Sequence, residues 1–223
     1  MPKKVKMKIL IVGAHPDDEI LGVGGTICKH IQNKDDVYVC IVTKATERLW
    51  TKEYMETKVK EQRQVDLLLG IKGRYNLDFP TAQLNSIPHG ELNRAIEAVV
   101  NTLNPDTIYT HFEHDINYDH TVVFRACMVA TRPPKHIKLI CFETLSETEF
   151  NNKNFIPNYW VDIEPFINKK IEAFKIYQSE IKEYPHPRSS EGIKILAKKR
   201  GMDICTRYAE AFIVIKDYWK QNV

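Results

Sequence analysis

Two short segments hold most of the residues that could bind a metal or move a proton. The first is Ala14-His15-Pro16-Asp17-Asp18-Glu19, which packs one imidazole and three carboxylates into five positions. The second runs from His111 to His120, HFEHDINYDH, and includes three histidines together with Asp115 and Asp119. One aspartate at a helix start has an ordinary explanation: its oxygen caps free N–H groups and its charge suits the helix dipole. A polar surface loop would likewise account for the second segment. Three adjacent carboxylates among apolar neighbours, however, repel one another and require a compensating cation. Together the segments offer His plus Asp from one loop and His from the other. Two histidines, one carboxylate and an open fourth position are the donor set of hydrolytic zinc sites. Zinc in such a set acidifies water and polarises a carbonyl.

The elements that must position these segments follow from the hydrophobic pattern. Residues 8–12, KILIV, and 37–43, VYVCIVT, are apolar runs of strand length, and the helix-like LGVGGTICKHIQNK lies between them. Strand, helix, strand in so short a span is a βαβ unit and implies parallel pairing. Further helices are expected at 51–69, ending at Gly70, and at 90–103, stopped by Asn104-Pro105. NLDFPTAQLNSIPHG between them reads as a loop. Strands at 106–110 and 137–143 flank a helix at 119–131. The last third reads as helices near 165–182 and 189–200 and a strand near 211–216. The expected fold is α/β: a Rossmann-like three-layer αβα sandwich with a mainly parallel sheet, in one domain over residues 1–223. Ligands of such sheets bind beyond the carboxyl ends of the strands, at a topological switch point. Both chemical segments follow a strand, so they can meet there.

Composition narrows the function classes. With 223 residues, 43% of them hydrophobic, the chain can bury one large core. The formal net charge is only +3, with basic and acidic residues interleaved, which argues against a nucleic-acid partner. No apolar run reaches the length of a membrane span, so no membrane partner is expected. The basic start, MPKKVKMKIL, runs directly into Gly13 and His15-Pro16 and reads as a first strand, not a leader peptide. The five cysteines, mostly in apolar contexts, form no CxxC pair. They fit free thiols in a reducing cytoplasm, so a metal site must use histidine and carboxylate.

AHPDDE after a first strand resembles the signature of the PIG-L/LmbE-like deacetylases, zinc enzymes that remove N-acetyl groups from glucosamine-containing substrates. Asn117-Tyr118-Asp119-His120 resembles the family's second, HxDH-like element. FPTAQLNSIP, RPPK, HPRSSEGIKILAKKRG and AEAF are similar to a bacterial branch associated with polysaccharide and sugar-nucleotide synthesis. The resemblance implies zinc held by His15, Asp18 and His120, and Asp17 as general base. It implies that Asp119 orients a neighbouring histidine, as outer partners of metal ligands do. It also implies a small-molecule amino-sugar substrate, free, nucleotide-linked or a glycan precursor, and a homo-oligomer.

This chain departs from the family pattern at Asn117, where relatives carry a histidine. Asn117 can donate a hydrogen bond to an oxyanion but cannot deliver a proton. The acid role then falls to Asp17 once protonated, or to His114 or His111. Asp78, His114, Arg188, Ser189 and Glu210 are candidate substrate contacts, although a turn explains Asp78 and an N-cap explains Ser189 equally well. Lys58 reads as a solvated helix lysine. Gly22-Val23-Gly24-Gly25 reads as close helix–strand packing, because phosphates would meet the carboxylates of the preceding turn.

Overall fold

Buried apolar strands, paired in parallel, form the centre of the molecule. The computed structural model describes residues 6–218, so residues 1–5 of the basic start and 219–223 of the expected domain lie outside it. Five strands build the parallel part: β1 (Lys8–Gly13), β2 (Asp36–Lys44), β3 (Gly73–Pro80), β4 (Thr107–His111) and β5 (Lys138–Phe142). Two antiparallel strands, β6 (Tyr159–Asp162) and β7 (Ala209–Lys216), complete a seven-stranded sheet of order β3-β2-β1-β4-β5-β7-β6. The helices are α1 (Asp18–Gln32), α2 (Lys52–Leu69), α3 (His89–Leu103), α4 (Tyr118–Ala130), α5 (Ile167–Ile176) and α6 (Ser190–Met202). No helix among the described residues is long and apolar enough to cross a membrane.

The three layers follow from strand alternation. Ile9 and Ile11 of β1 join a core with Ile20 of α1, Val65 of α2, Phe174 of α5 and Ile193 of α6. Leu10 and Val12 face the other way and pack with α3 and α4 through Leu92, Ile96 and Val123. Period-two side chains thus feed both cores, as expected for a parallel sheet covered on both faces. The order β3-β2-β1-β4-β5 reverses between β1 and β4. At that switch point the connections from two neighbouring strand ends leave toward opposite faces, which opens a crevice between them.

Three elements differ from the sequence-based expectation. NLDFPTAQLNSIPHG begins inside β3, an edge strand whose mixed exposure and terminal Pro80 mask the apolar signal of a strand. The four-residue β6, YWVD, is too short to show a period. The helix expected to 182 stops at Ile176, because Tyr177 leaves helical geometry at ψ 73 and turns inward. The glycines of α1 do serve close packing: a Cβ at Gly22 would lie 2.2 Å from the Phe142 ring, and one at Gly25 would lie 2.7 Å from Ile163.

Candidate active site

The turn after β1 is held in an uncommon shape. Asp17 precedes α1 with φ 127 and ψ −28, a region that costs a non-glycine residue about 1–3 kcal/mol. Several bonds offset that cost. The Ala14 carbonyl accepts from both the N–H and the hydroxyl of Thr43, and the Ala14 N–H donates to His111 Nε2 at 2.8 Å. The Asp17 N–H donates to Glu19 Oε2 at 3.0 Å. Glu19 is itself fully buried and accepts from Tyr177 Oη and Arg74 Nη2 through its other oxygen. Glu19 therefore supports the turn from beneath.

The segment after β4 is built by similar means. Asn117 caps α4, its Oδ1 accepting from the Asp119 N–H at 3.1 Å. This cap sets Asp119 and His120 in the first turn of α4, facing the β1–α1 turn. Asp119 accepts from the N–H groups of Ala82 and Leu84 and pairs with His15 Nε2 at 3.2 Å. Asp115 pairs with His120 Nδ1 at 2.9 Å and is anchored by the Thr148 hydroxyl.

Each imidazole thus has a carboxylate on its outer nitrogen, which leaves the inner nitrogen with a lone pair. His15 Nδ1 and His120 Nε2 stand 3.3 Å apart. Asp18 completes the set: Oδ2 accepts from the His15 N–H, while the buried Oδ1, 3.5 Å from His120 Nε2, has no hydrogen-bond partner. Three acceptor atoms on two elements converge without a donor among them. That arrangement fits a divalent cation with two nitrogens and one oxygen. His111, Asp115 and His120 also cluster within ligand reach. There, however, His120 Nδ1 is engaged with Asp115, and His111 Nε2 with the Ala14 N–H. This second group orients the first.

The electrostatics agree with a site built for positive charge. Burial would lower the pKa of His15, yet Asp119 and Asp18 raise it to about 10, so these carboxylates favour positive charge at this point of the site. Burial holds His111 and His120 down to about 4, keeping them neutral. Burial pushes the Asp17 carboxyl well above the usual range, with Asp18 adding to the effect and Arg188 opposing it.

A cavity of about 540 Å³ opens over this cluster, within the usual size for small-molecule sites. His15, Asp17 and Asn117 line it, together with Trp50 and Tyr54, stacked at 6.3 Å, and with Asn76 and Asp78. Arg188 lines it as well. Nη1 donates to Asp17 Oδ2 at 3.1 Å, Nη2 to Glu147 Oε1 at 3.1 Å, and Nε to Ser146 Oγ at 2.6 Å.

The expected substrate contacts are scattered by the fold. Asp78 lines the cavity with an exposed side chain and a positive φ of 57. Arg188 lines it too, but its donors already serve protein carboxylates. Ser189 is buried as the N-cap of α6, accepting from the Gly192 N–H, and is not a lining residue. His114 is not among the residues lining the cavity and sits beside Glu113, 44% exposed. Lys58 is not solvated but buried between Glu61 and Glu180. Glu210 lies apart from the cavity, accepting from the N–H groups of Gly25 and Thr26 and from Lys170. Its role there is to brace α1 against α5 and β7. Glu210→Ala leaves the Lys170 ammonium buried and unpaired, which costs about 3–5 kcal/mol. A denaturant midpoint near that of the parent would refute this bracing role.

Three residues at the site received no role from the sequence. Asp115 sits inside the histidine-rich segment, and its place five residues before His120 was the available signal. Glu19 was visible only as one more carboxylate of the turn. Glu147 follows β5, and a position just beyond a strand end was its only mark.

Comparison with known proteins gives a consistent result. Residues 10–131 match the family described as PIG-L, GlcNAc-PI de-N-acetylase. A probable N-acetyl-alpha-D-glucosaminyl L-malate deacetylase 2 of Bacillus anthracis is 27% identical over 192 residues, covering 79% of this chain and 83% of the relative. The solved N,N'-diacetylchitobiose deacetylase from Pyrococcus horikoshii shares the fold at TM-score 0.76 and 22% identity, covering 96% of this chain and 85% of that one. So does a 4-carboxy-2-hydroxymuconate hydratase from Pseudomonas putida KT2440, at TM-score 0.76 and 18% identity, over 98% and 100% of the two chains. One fold carries both deacetylases and a hydratase, so the chemistry has to be argued from the site.

Proposed function

Because this chain belongs to the GlcNAc-PI de-N-acetylase family, matched over residues 10–131, we propose that it is a single-domain, zinc-dependent hydrolase that removes the N-acetyl group of an amino sugar and releases acetate. The observation that carries this reading is the convergence of His15 Nδ1, Asp18 Oδ1 and His120 Nε2 beside the spare carboxylate of Asp17. A site that only stored metal would not need Asp17. The stacked Trp50 and Tyr54, lining the same cavity as polar Asn76 and Asp78, suit a sugar ring with its apolar face and hydroxyl rim. The buried free thiols Cys28, Cys40, Cys127 and Cys141 suit a reducing cytoplasm.

His15, Asp18 and His120 would hold the zinc, which when bound polarises the acetamide carbonyl and lets water lose a proton near neutral pH. Asp17 accepts that proton. Arg188 ties down Asp17 Oδ2, so Oδ1 is the oxygen left to take the proton. Asn117 spends Oδ1 on the α4 cap, and its Nδ2 is left to donate to the oxyanion as the carbonyl carbon becomes tetrahedral. Asp119 and Asp115 keep His15 and His120 in the orientation that presents a lone pair inward.

Asn117 therefore joins two roles. Asn117→Ala should lower kcat about tenfold to a thousandfold with zinc content unchanged, and cost about 1 kcal/mol in stability through loss of the cap. Asn117→Asp keeps the cap but cannot donate, so it should restore stability and leave kcat low. Equal kcat in the parent and the Asp variant would place this side chain outside the chemistry. The overall reading is tested by metal analysis and acetate release across N-acetylated sugars, nucleotide sugars and N-acetyl amino acids. Turnover of the amino acids in preference to every sugar would shift the substrate to a non-sugar amide.

A further inference from the structure

We propose that Glu147 is the general acid that protonates the leaving amine, a role that rests on the deacetylase reading above. Hydrolysis of an acetamide needs two proton events: water must lose one, and the nitrogen must gain one as the C–N bond breaks. Asn117 cannot supply a proton. His111 is fully buried, stacked on His120 at 3.7 Å and engaged with the Ala14 N–H. His114 is outside the cavity lining. Asp17 has one oxygen held by Arg188, so a single free oxygen would have to face both the water and the nitrogen.

Glu147 lines the same cavity as Asp17 and Asn117. Its main chain is tied to the Asn117 turn, the Ile116 N–H donating to the Glu147 carbonyl at 3.3 Å. Its carboxyl and that of Asp17 occupy the two ends of one guanidinium, Nη2 of Arg188 on Glu147 and Nη1 on Asp17. The planar fork therefore holds two carboxyl groups at a set separation within one cavity. Because Oε1 accepts from Arg188, a proton on Glu147 belongs on Oε2.

Charge balance favours a proton among the carboxyl groups around Arg188, and a divalent cation held beside Asp17 would keep that carboxylate ionised and leave the proton to Glu147. Arg188 also lies 3.5 Å from Glu180, whose partner is Lys58, and Lys58 is shared with Glu61. Four carboxylates, Asp17, Glu147, Glu180 and Glu61, thus face two cations, Arg188 and Lys58. The charged groups around Glu147 are Arg188 before α6, Asp18 and His15 of the β1–α1 turn, and Asp115 of the β4–α4 loop. Burial, opposed by Arg188 and aided by Asp18 and Asp115, raises the Glu147 carboxyl to about 7, where an acid can give up its proton during turnover.

The step balances. A water oxygen bonds to the acetyl carbon and its proton passes to Asp17. The C–N bond breaks with its electron pair going to nitrogen, which takes the proton from Glu147. Asp17 then returns its proton to Glu147 through solvent, and the acetic acid formed gives its own proton to the free amine.

The test uses the zinc-loaded enzyme and the methyl glycoside of N-acetylglucosamine. Glu147→Gln keeps an acceptor for Arg188 and should lower kcat roughly a hundredfold, with KM, zinc content and melting temperature unchanged and the alkaline limb of the kcat–pH profile abolished. Glu147→Asp should recover part of kcat together with that limb. The wild-type infrared spectrum should show a protonated carboxyl near pH 6 that is missing from the Gln variant. Parent-like kcat in Glu147→Gln, or a lowered kcat with the alkaline limb intact, would overturn the acid assignment. So would an ionised Glu147 at pH 6. Absence of acetate release by the wild type from this glycoside and from the other N-acetyl sugars would instead remove the deacetylase reading, and the acid assignment with it.

Discussion

Asp17→Asn is expected to lower kcat about 10²- to 10⁴-fold, the loss that follows removal of a positioned general base, while zinc content and fold persist. Asparagine is the informative replacement for three reasons. It matches aspartate in shape, so the amide oxygen can still accept from Arg188 Nη1. It tolerates positive φ better than most residues, so the backbone at φ 127 is not further strained. Its main-chain N–H still donates to Glu19. What it loses is the ability to take a proton. Asp17→Ala would instead also leave Arg188 short of one partner and confuse catalysis with packing. Parallel measurements of kcat, bound zinc and melting temperature separate these effects. A kcat within tenfold of the parent would remove Asp17 from the mechanism.

The second large effect is expected on the metal itself. His15→Ala should leave a folded chain that neither retains zinc nor turns over substrate, because it deletes one of three converging ligands and no fourth joins this group among the described residues. His15 is partly exposed, so its loss opens little of the core. His120→Ala should also lose zinc and activity, but with an added loss of stability. His120 is fully buried, and its removal strips Asp115 of its imidazole partner, a cost of about 1–3 kcal/mol for the orphaned acceptor alone. Metal analysis after gel filtration, followed by chelation and zinc add-back on the parent, provides the measurement. Stoichiometric zinc in the His15→Ala protein would show that the ligand set is wrong.

The fold was legible wherever the pattern was strong. KILIV and VYVCIVT are apolar on both faces, which only a doubly covered parallel strand satisfies, and they became β1 and β2. Asn104-Pro105 ended α3, with Asn104 in the left-handed conformation. By contrast, β3 and β6 lie at the two edges of the sheet, where one side of the strand needs no apolar partner and the signal thins. Tyr177 ended α5 because its hydroxyl is drawn to Glu19, a partner 158 residues away.

The same division runs through the site. By itself the sequence determined the chemistry available and its neighbourhood: His-Pro-Asp-Asp after one strand and Asp-His after another, in a topology that brings strand ends together. Those are local facts, set by residue type, spacing and the start of a helix. Only the tertiary structure decided which atom of each side chain faces inward, because that depends on Asp119, Asp115 and the His15 N–H each claiming the opposite edge. It alone moved Glu210 away from the cavity and set Arg188 upon Asp17, across 171 residues of chain. Long-range pairing of this kind leaves no period or motif, since it is fixed by which surfaces pack when the layers close.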